Sequence, residues 1–321
     1  MLTYVRTFGK RDERVGWFGG MEKVAETLAR LEQKAREHEA RECSRLLPDR
    51  HPVRDFFIAD ILDWALKDDR HSMEHPMFSL SKKPDKRIRR YEHNGISVTV
   101  TPSVLGLATI WDKDILLYCI SVLVEAVNQG RKDVSRSVRL TAYDLLVTTN
   151  RTTGGRSYEE FKAALERLRG TSITTNISTN GMRQSRGFGL IDNWEIVERS
   201  PANGRMVAVE VSLNKWLYNA IVACEVLTLN RDYFRLSGGL ERRLYELARK
   251  HCGNQAKWKV SMEVLHKKSG SQATLVKFRE MVKRAVAGDS LPDYRLSYDQ
   301  PADHVVFYSN DTTKLAARLV G

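Results

Sequence analysis

Cysteine is scarce in this chain, and its few copies follow no metal-binding or redox spacing. Four isolated thiols without a Cys-x-x-Cys pair are typical of a reducing, cytoplasmic setting. They are Cys43, Cys119, Cys224 and Cys252. The amino-terminal residues also have no apolar core of a secretory signal. The most apolar run, 115–127, is too short to span a bilayer, so we expect no membrane partner.

The usual short signatures of catalysis are missing as well. The sequence has no Gly-x-x-x-x-Gly-Lys loop, no Gly-x-Ser-x-Gly elbow and no His-x-His pair of the kind used by metal-dependent strand-nicking enzymes. His71, Glu74 and His75 match the pattern His-x-x-Glu-His, but their polar surroundings and the following Pro76 favour a loop over a metal site. We therefore expect a non-enzymatic protein with no metal and no cofactor.

Acidic residues are too few to balance the basic ones. The chain has 52 Lys and Arg against 40 Asp and Glu, which gives a net charge of +12. The surplus is concentrated in two blocks, with 11 basic against 5 acidic residues in 131–190 and 14 against 6 in 231–290. Positive charge of this size indicates an anionic partner such as nucleic acid.

The first basic block contains a regular succession of predicted elements within 138–177. A short strand precedes a helix that begins at Thr141, and a glycine-containing turn leads to a second helix over 157–169. Ser157 and Glu160 predict a capping box at the start of that second helix. An ordinary amphipathic helix over a core would explain the second helix alone.

Two strands then follow, over 171–177 and 188–199, and the polar turn between them predicts a wing. Strand, helix, turn, helix and hairpin form the order of a winged helix-turn-helix. The same order recurs over 257–308. Leu140, Thr141 and Leu145 match Val260, Ser261 and Leu265, and Phe161 and Leu165 match Phe278 and Val282. The sequence therefore predicts an α+β fold with two tandem winged-helix domains related by an internal pseudo-repeat.

The remaining segments complete the predicted domain plan. An amino-terminal tail and helix occupy 1–47, with the helix over 21–47. The first winged-helix domain spans 48–212 and the second spans 213–321. Within the first domain, 53–70 is predicted as an amphipathic segment, 71–87 as a loop, and 91–100 as a hairpin that turns at Asn94-Gly95.

Basic and polar residues on the outer faces of the two helix pairs are the candidate DNA contacts. In the first copy they are Arg156, Ser157, Lys162, Arg167, Arg183 and Arg186, and in the second Lys267, Lys268, Ser271, Gln272, Val276, Lys277, Arg279 and Lys283. Glutamine pairs with adenine, arginine pairs with guanine, and valine can meet a thymine methyl group. Outward glutamates at 159 and 166 weaken the first copy as a reader of bases, so we assign specificity mainly to the second.

Three segments, 52–103, 106–128 and 158–177, resemble the plasmid replication initiator protein A family. The last of them reads YEEFKAALERLRGTSITTNI. The resemblance extends over roughly 48–315, and its motifs are diffuse. It implies a theta-type initiator that binds directly repeated origin sites (iterons) in double-stranded DNA. It also implies that a homodimer exchanges with the monomer and represses the protein's own gene. At the origin, the resemblance implies that the protein opens AT-rich DNA and acts with a host initiator and the replicative helicase.

Two other functions remain open at this point. A plasmid-borne dimeric transcriptional repressor would use the same winged helices without a role in initiation. A metal-dependent nickase would also act on DNA, although the sequence lacks the His-x-His pair that such enzymes use.

Overall fold

The computed structural model describes residues 46–52, 65–93, 95–131, 134–177, 186–199, 201, 206–253 and 255–310. All of them lie in one compact unit, Ser44–Gly321. The predicted amino-terminal helix lies outside the described residues up to position 45, and so does 53–64 of the predicted amphipathic segment. The domain boundaries proposed at 47 and 212 stay predictions.

Helices and strands alternate along the chain, so the α+β class is confirmed. The first half contains β1 (Lys67–Asp69), α1 (Arg70–Glu74), β2 (Arg89–His93), β3 (Ile96–Thr101), α2 (Lys113–Asn128), β4 (Ser137–Thr141), α3 (Ala142–Thr148), α4 (Gly155–Gly170), β5 (Ser172–Thr175), β6 (Arg186–Gly189), β7 (Ile191–Arg199) and β8 (Met206–Leu213). The second half contains α5 (Lys215–Val222), β9 (Val226–Thr228), a 3-10 helix (Arg231–Arg235), α6 (Gly239–His251), β10 (Lys257–Ser261), α7 (Met262–Ser269), α8 (Leu275–Gly288), β11 (Tyr294–Asp299) and β12 (His304–Ser309).

Two three-stranded antiparallel sheets share one strand order. In the first half the order is β4-β8-β7, and in the second half it is β10-β12-β11. In each sheet, the strand that precedes a helix pair lies beside the second strand of the hairpin that follows the pair. The sheet β2-β3-β5-β6 and the ribbon β1-β9 are the other sheets of the described chain. The hairpin predicted at Asn94-Gly95 is confirmed as β2 and β3.

The internal repeat predicted from spacing is present in the local structure. Thr141 and Ser261 cap α3 and α7, and each side-chain oxygen accepts a hydrogen bond from the backbone N–H three residues on, at 3.1 and 3.3 Å. Such caps satisfy N–H groups that lack partners in the first helical turn. Phe161 and Phe278 are fully buried at matching positions of α4 and α8. They belong to two separate hydrophobic clusters, and the cluster of Phe278 also includes Leu66, Met73 and Leu117 from the first half.

The prediction of the first wing was wrong in its pairing. The two strands assigned to it lie in different sheets, because β5 pairs with β6 and β3, whereas β7 pairs with β8. The chain changes sheets at Leu190, which is buried between β6 and β7. The hairpin that corresponds to β11 and β12 is therefore β7 and β8.

Two local predictions were also wrong. Ser157 does not cap α4, which begins two residues earlier with Gly154 as its cap; the buried Ser157 hydroxyl instead lies 2.6 Å from the Thr152 hydroxyl. The polar segment predicted as a loop begins with a helix, α1, because the Asp69 carboxylate accepts hydrogen bonds from the N–H groups of His71 and Ser72 at 3.1 and 2.8 Å.

Candidate nucleic-acid interface

The turn between α7 and α8 is held rigidly against the first half of the chain. Gly270 ends α7 with a φ of +72°, in the left-handed region that favours glycine. A Cβ atom at this position would lie 2.5 Å from the Cβ atom of Pro76. The Tyr91 hydroxyl donates to the Gly270 carbonyl at 3.5 Å. These contacts place the turn beside β2.

Helix α8 begins at Leu275. Thr274 is its N-cap, and its hydroxyl oxygen accepts from the Lys277 N–H at 3.4 Å. Phe278, Val282 and Ala285 are the buried residues of the helix. Its outer face is thereby free of the core and carries the exposed Lys277 and Val276, the latter 70% exposed.

Arg279 is held by the hairpin that follows α8. Its Nε and Nη2 atoms donate to the two oxygens of Asp303 at 3.0 and 2.8 Å, and the Tyr298 hydroxyl donates to the same carboxylate at 2.8 Å. The hydrogen bonds from Arg279 lower the pKa of Asp303 to about 2. A base that bound the Nε and Nη2 edge of Arg279 would have to displace this carboxylate, whereas Nη1 is not used in these bonds.

The other predicted contacts of the second copy divide into outward and inward groups. Gln272 and Lys267 are exposed, and Lys267 donates to Glu263 at 2.8 Å. Lys283 donates to Glu280 at 3.2 Å. Lys268 is only 14% exposed and forms an ion pair with Glu74, so it holds α1 against α7. The Ser271 hydroxyl accepts from the Ala273 N–H within the turn.

Fewer of the predicted contacts in the first copy face solvent. Arg156 and Lys162 are exposed, and Arg156 donates to Glu160 at 2.9 Å. Arg167 donates two hydrogen bonds, both of 2.7 Å, to Asp112, and these bonds raise the pKa of Arg167. It therefore connects α4 to the start of α2. Ser157 is buried. Arg183 lies outside the described residues, and the backbone of Arg186 pairs with Thr175 in β6.

The basic run at 82–90 was predicted as part of a loop and was not included among the candidate DNA contacts. Lys83, Lys86 and Arg90 are exposed in this run, which leads directly into β2. Arg89 is buried and donates to Asp85 at 2.9 Å. The run is visible in the sequence, but the charge of 61–130 as a whole is balanced, so that block was not assigned to DNA binding.

A second group of charged residues is buried between the two halves. The Lys113 ammonium donates to Asp68 at 2.6 Å and to Glu246 at 3.0 Å. Arg243 and Tyr233 donate to the same Glu246 carboxylate, at 2.9 and 2.8 Å. We call these five residues the buried charge cluster. Burial, together with the nearby carboxylate of Glu246, raises the pKa of Asp68 to about 7.

The polar groups of the buried charge cluster are satisfied by one another, which is typical of a structural role. Arg242 extends the cluster by donating to Asp114 at 2.6 Å, and Arg151 donates to the same carboxylate at 3.0 Å. Among the residues that the structure describes, no group of three or more His, Cys, Asp or Glu side chains could hold a metal ion. No helix in the same ranges is long and apolar enough to cross a bilayer.

Comparison with known proteins identifies the family of the chain. Its fold is similar to the crystal structure of domains 2 and 3 of RctB, with a TM-score of 0.50, 11% identity, and coverage of 76% of this chain and 99% of that one. A second structure of those domains has a TM-score of 0.49 at 12% identity, over 73% of this chain and 94% of that one.

Sequence similarity is stronger and more specific. The chain is 40% identical over 257 residues to a putative replication protein of Wigglesworthia glossinidia brevipalpis, covering 79% of this chain and 93% of that protein. Residues 67–296 match the family described as replication initiator protein A. The protein is thus of the replication initiator class. It belongs to the replication initiator protein A family, which confirms the resemblance found in the sequence.

Proposed function

We propose that the protein is a non-enzymatic plasmid replication initiator that binds repeated double-stranded origin sites through two tandem winged helices. Bound to those sites, it promotes opening of the adjacent duplex and loading of the replicative helicase, with a host initiator as a further partner. A homodimeric form represses the protein's own gene. Family membership supports initiation, and the repeated strand order supports the two winged helices.

The outer face of α8 is the observation that carries the proposal of sequence-specific binding. A helix that buries Phe278 and Val282 while exposing Val276 and Lys277 presents a mixed apolar and basic surface of the size that the major groove accepts. Its amino terminus follows the turn with the exposed Gln272, and helix N-termini suit phosphate contacts. Tyr91, which contacts the turn at Gly270, directly follows the run 82–90, in which Lys83, Lys86 and Arg90 are exposed.

Arg279→Ala is expected to weaken binding to the origin repeats by about 1–3 kcal/mol and to remove the preference at one base position. The loss arises because the guanidinium leaves Asp303 to bind a base edge in the complex. Binding would be measured on the repeats and on variants of each base pair. The control is Asp303→Ala, which frees Arg279 and should preserve the preference. Wild-type affinity in Arg279→Ala would show that the contact face of α8 is assigned wrongly.

A plasmid that carries only the origin is expected to be maintained only when the protein is supplied in trans. This result separates an initiator from a repressor, because a repressor alone would change expression of its gene without establishing the plasmid. Transformation efficiency and copy number measure the effect. Establishment of the plasmid without the protein would contradict the initiator role.

A further inference from the structure

A basic cleft of about 590 Å³ lies beside α6. It is formed where the start of α1, strand β9 and the carboxyl end of α6 meet. Its lining includes Arg70, Leu227, Arg249, Lys250, His251 and Gln255. The cleft lies beside the loop before Lys257, where β10 begins. The turn between β11 and β12 lies at the opposite end of β10, which is roughly 13 Å away along the strand.

The positive charges in the cleft are not balanced by the carboxylates around it. Glu74 is nearby, but its oxygens contact Lys268 and the His251 ring, the latter at 3.1 Å. Burial opposes ionisation of Glu74, yet hydrogen bonds from His251 and Lys268 lower its pKa. Asp69 accepts from the first turn of α1, and the Glu225 carboxylate, just before β9, lies 3.0 Å from the His71 ring nitrogen. These three acids therefore have partners of their own.

Lys250 and Arg249 supply two of the positive charges in the cleft. Lys250 is half-buried, and burial lowers its pKa, with the positive charges of Arg70 and Lys268 acting in the same direction. Arg249 is held in position by donating from Nε to the Thr228 carbonyl at 2.6 Å, and its Nη atoms are not used in that bond. Like charges gathered in a cleft are stabilised by an anion that binds between them.

The chemistry of the lining selects the kind of anion. Leu227 is the one sizeable aliphatic side chain among the described lining residues, and the His251 ring is stacked on Trp258 at 4.1 Å between centroids. Two guanidinium groups and one ammonium group dominate the lining, and a phosphate matches such groups. We propose that this cleft binds a phosphate group, supplied either by the backbone of duplex DNA or by a free phosphate compound. Binding of a DNA phosphate rests on the proposed function, whereas binding of a free phosphate compound does not.

The test uses the full chain with Arg70→Ala combined with Lys250→Met, which removes two charges and keeps most of the lysine stem. Two probes are titrated: pyrophosphate by calorimetry, and duplex DNA over a series of salt concentrations. If pyrophosphate is the source, its affinity falls at least tenfold. If the backbone is the source, the slope of log affinity for DNA against log salt falls by about 2. Either result supports phosphate binding in the cleft and identifies the molecule that supplies the phosphate.

Controls separate a binding role from a structural one. Lys215→Met removes an exposed charge outside the cleft and should leave the affinities for pyrophosphate and duplex DNA unchanged. Lys250→Arg should retain binding. The melting temperature of the double variant should not fall, because a half-buried charge crowded by its neighbours is removed. A double variant that binds both probes as the wild type does would overturn the proposal. A wild-type protein that binds no duplex DNA would refute the proposed function, while pyrophosphate still tests the cleft.

Discussion

Lys113→Met is expected to lower the free energy of unfolding by about 3–5 kcal/mol, which is the cost of breaking a buried ion pair by removing one partner. Lys113 is 1% exposed and donates to two carboxylates, Asp68 and Glu246, that are themselves buried. Methionine fills much of the same space but leaves these acids without their shared cation. Arg243 continues to bind Glu246, so the loss falls mainly on Asp68. Denaturant unfolding would measure it.

Two further variants sharpen this test. Lys215→Met makes the same change at an exposed position and should alter the free energy of unfolding by no more than about 0.5 kcal/mol. Lys113→Met combined with Asp68→Asn should recover part of the loss, since the uncompensated charge is removed. Equal stability of Lys113→Met and the wild type would mean that the cluster does not hold the two halves together.

The free energy of unfolding of Asp68→Asn is expected to rise relative to that of the wild type as the pH increases from 5 to 7, by up to about 1.4 kcal/mol per pH unit. The pKa of Asp68 is raised from 3.8 to about 7 in the folded chain. Between those values the folded state holds a proton that the unfolded state has released. The stabilising effect of that proton is present at low pH and is lost as the pH rises through about 7. Asparagine has no such proton to lose.

The difference between the two proteins is the quantity to measure, because other groups titrate in the same range. Burial lowers the pKa of His75 to about 4, so its contribution is lost as the pH falls below its ordinary value of 6.5. That contribution is common to both proteins and cancels. A stability difference that stays constant from pH 5 to pH 8 would show that Asp68 is ionised in the folded chain with an ordinary pKa.

The parts of the fold that sequence reasoning predicted correctly depend on signals within one turn or one strand. Thr141 was predicted to start a helix, with Ser261 as its match in the second copy, and each caps a helix in the structure. Phe161 and Phe278 were predicted as matching positions of the two copies, and both are buried. The hairpin at Asn94-Gly95 was predicted by a turn dipeptide between alternating residues. Each signal acts over a few residues, so no knowledge of distant contacts was needed.

The incorrect predictions depend on contacts between distant segments. The first wing was misassigned because nothing local marks Leu190 as the point where the chain passes from one sheet to another. The inward position of Lys268 depends on Glu74, and that of Arg167 on Asp112. A helical pattern indicates which residues face outward, but it does not indicate which outward cations already have an intramolecular partner. The candidate site was therefore predicted as a face and not as a set of available side chains.

The ribbon of β1 and β9 has a consequence for work with shortened proteins. β1 lies early in the chain, yet it pairs with a strand that leads into the second half, and Lys67 to Asp69 align with Val226 to Thr228. A recombinant fragment that starts near residue 213 would lose this strand and would expose Glu246 and Arg243 to water. Structural or binding studies of α8 should therefore keep the chain from β1 onward, and a protease cut after β8 need not release an independent carboxyl-terminal piece.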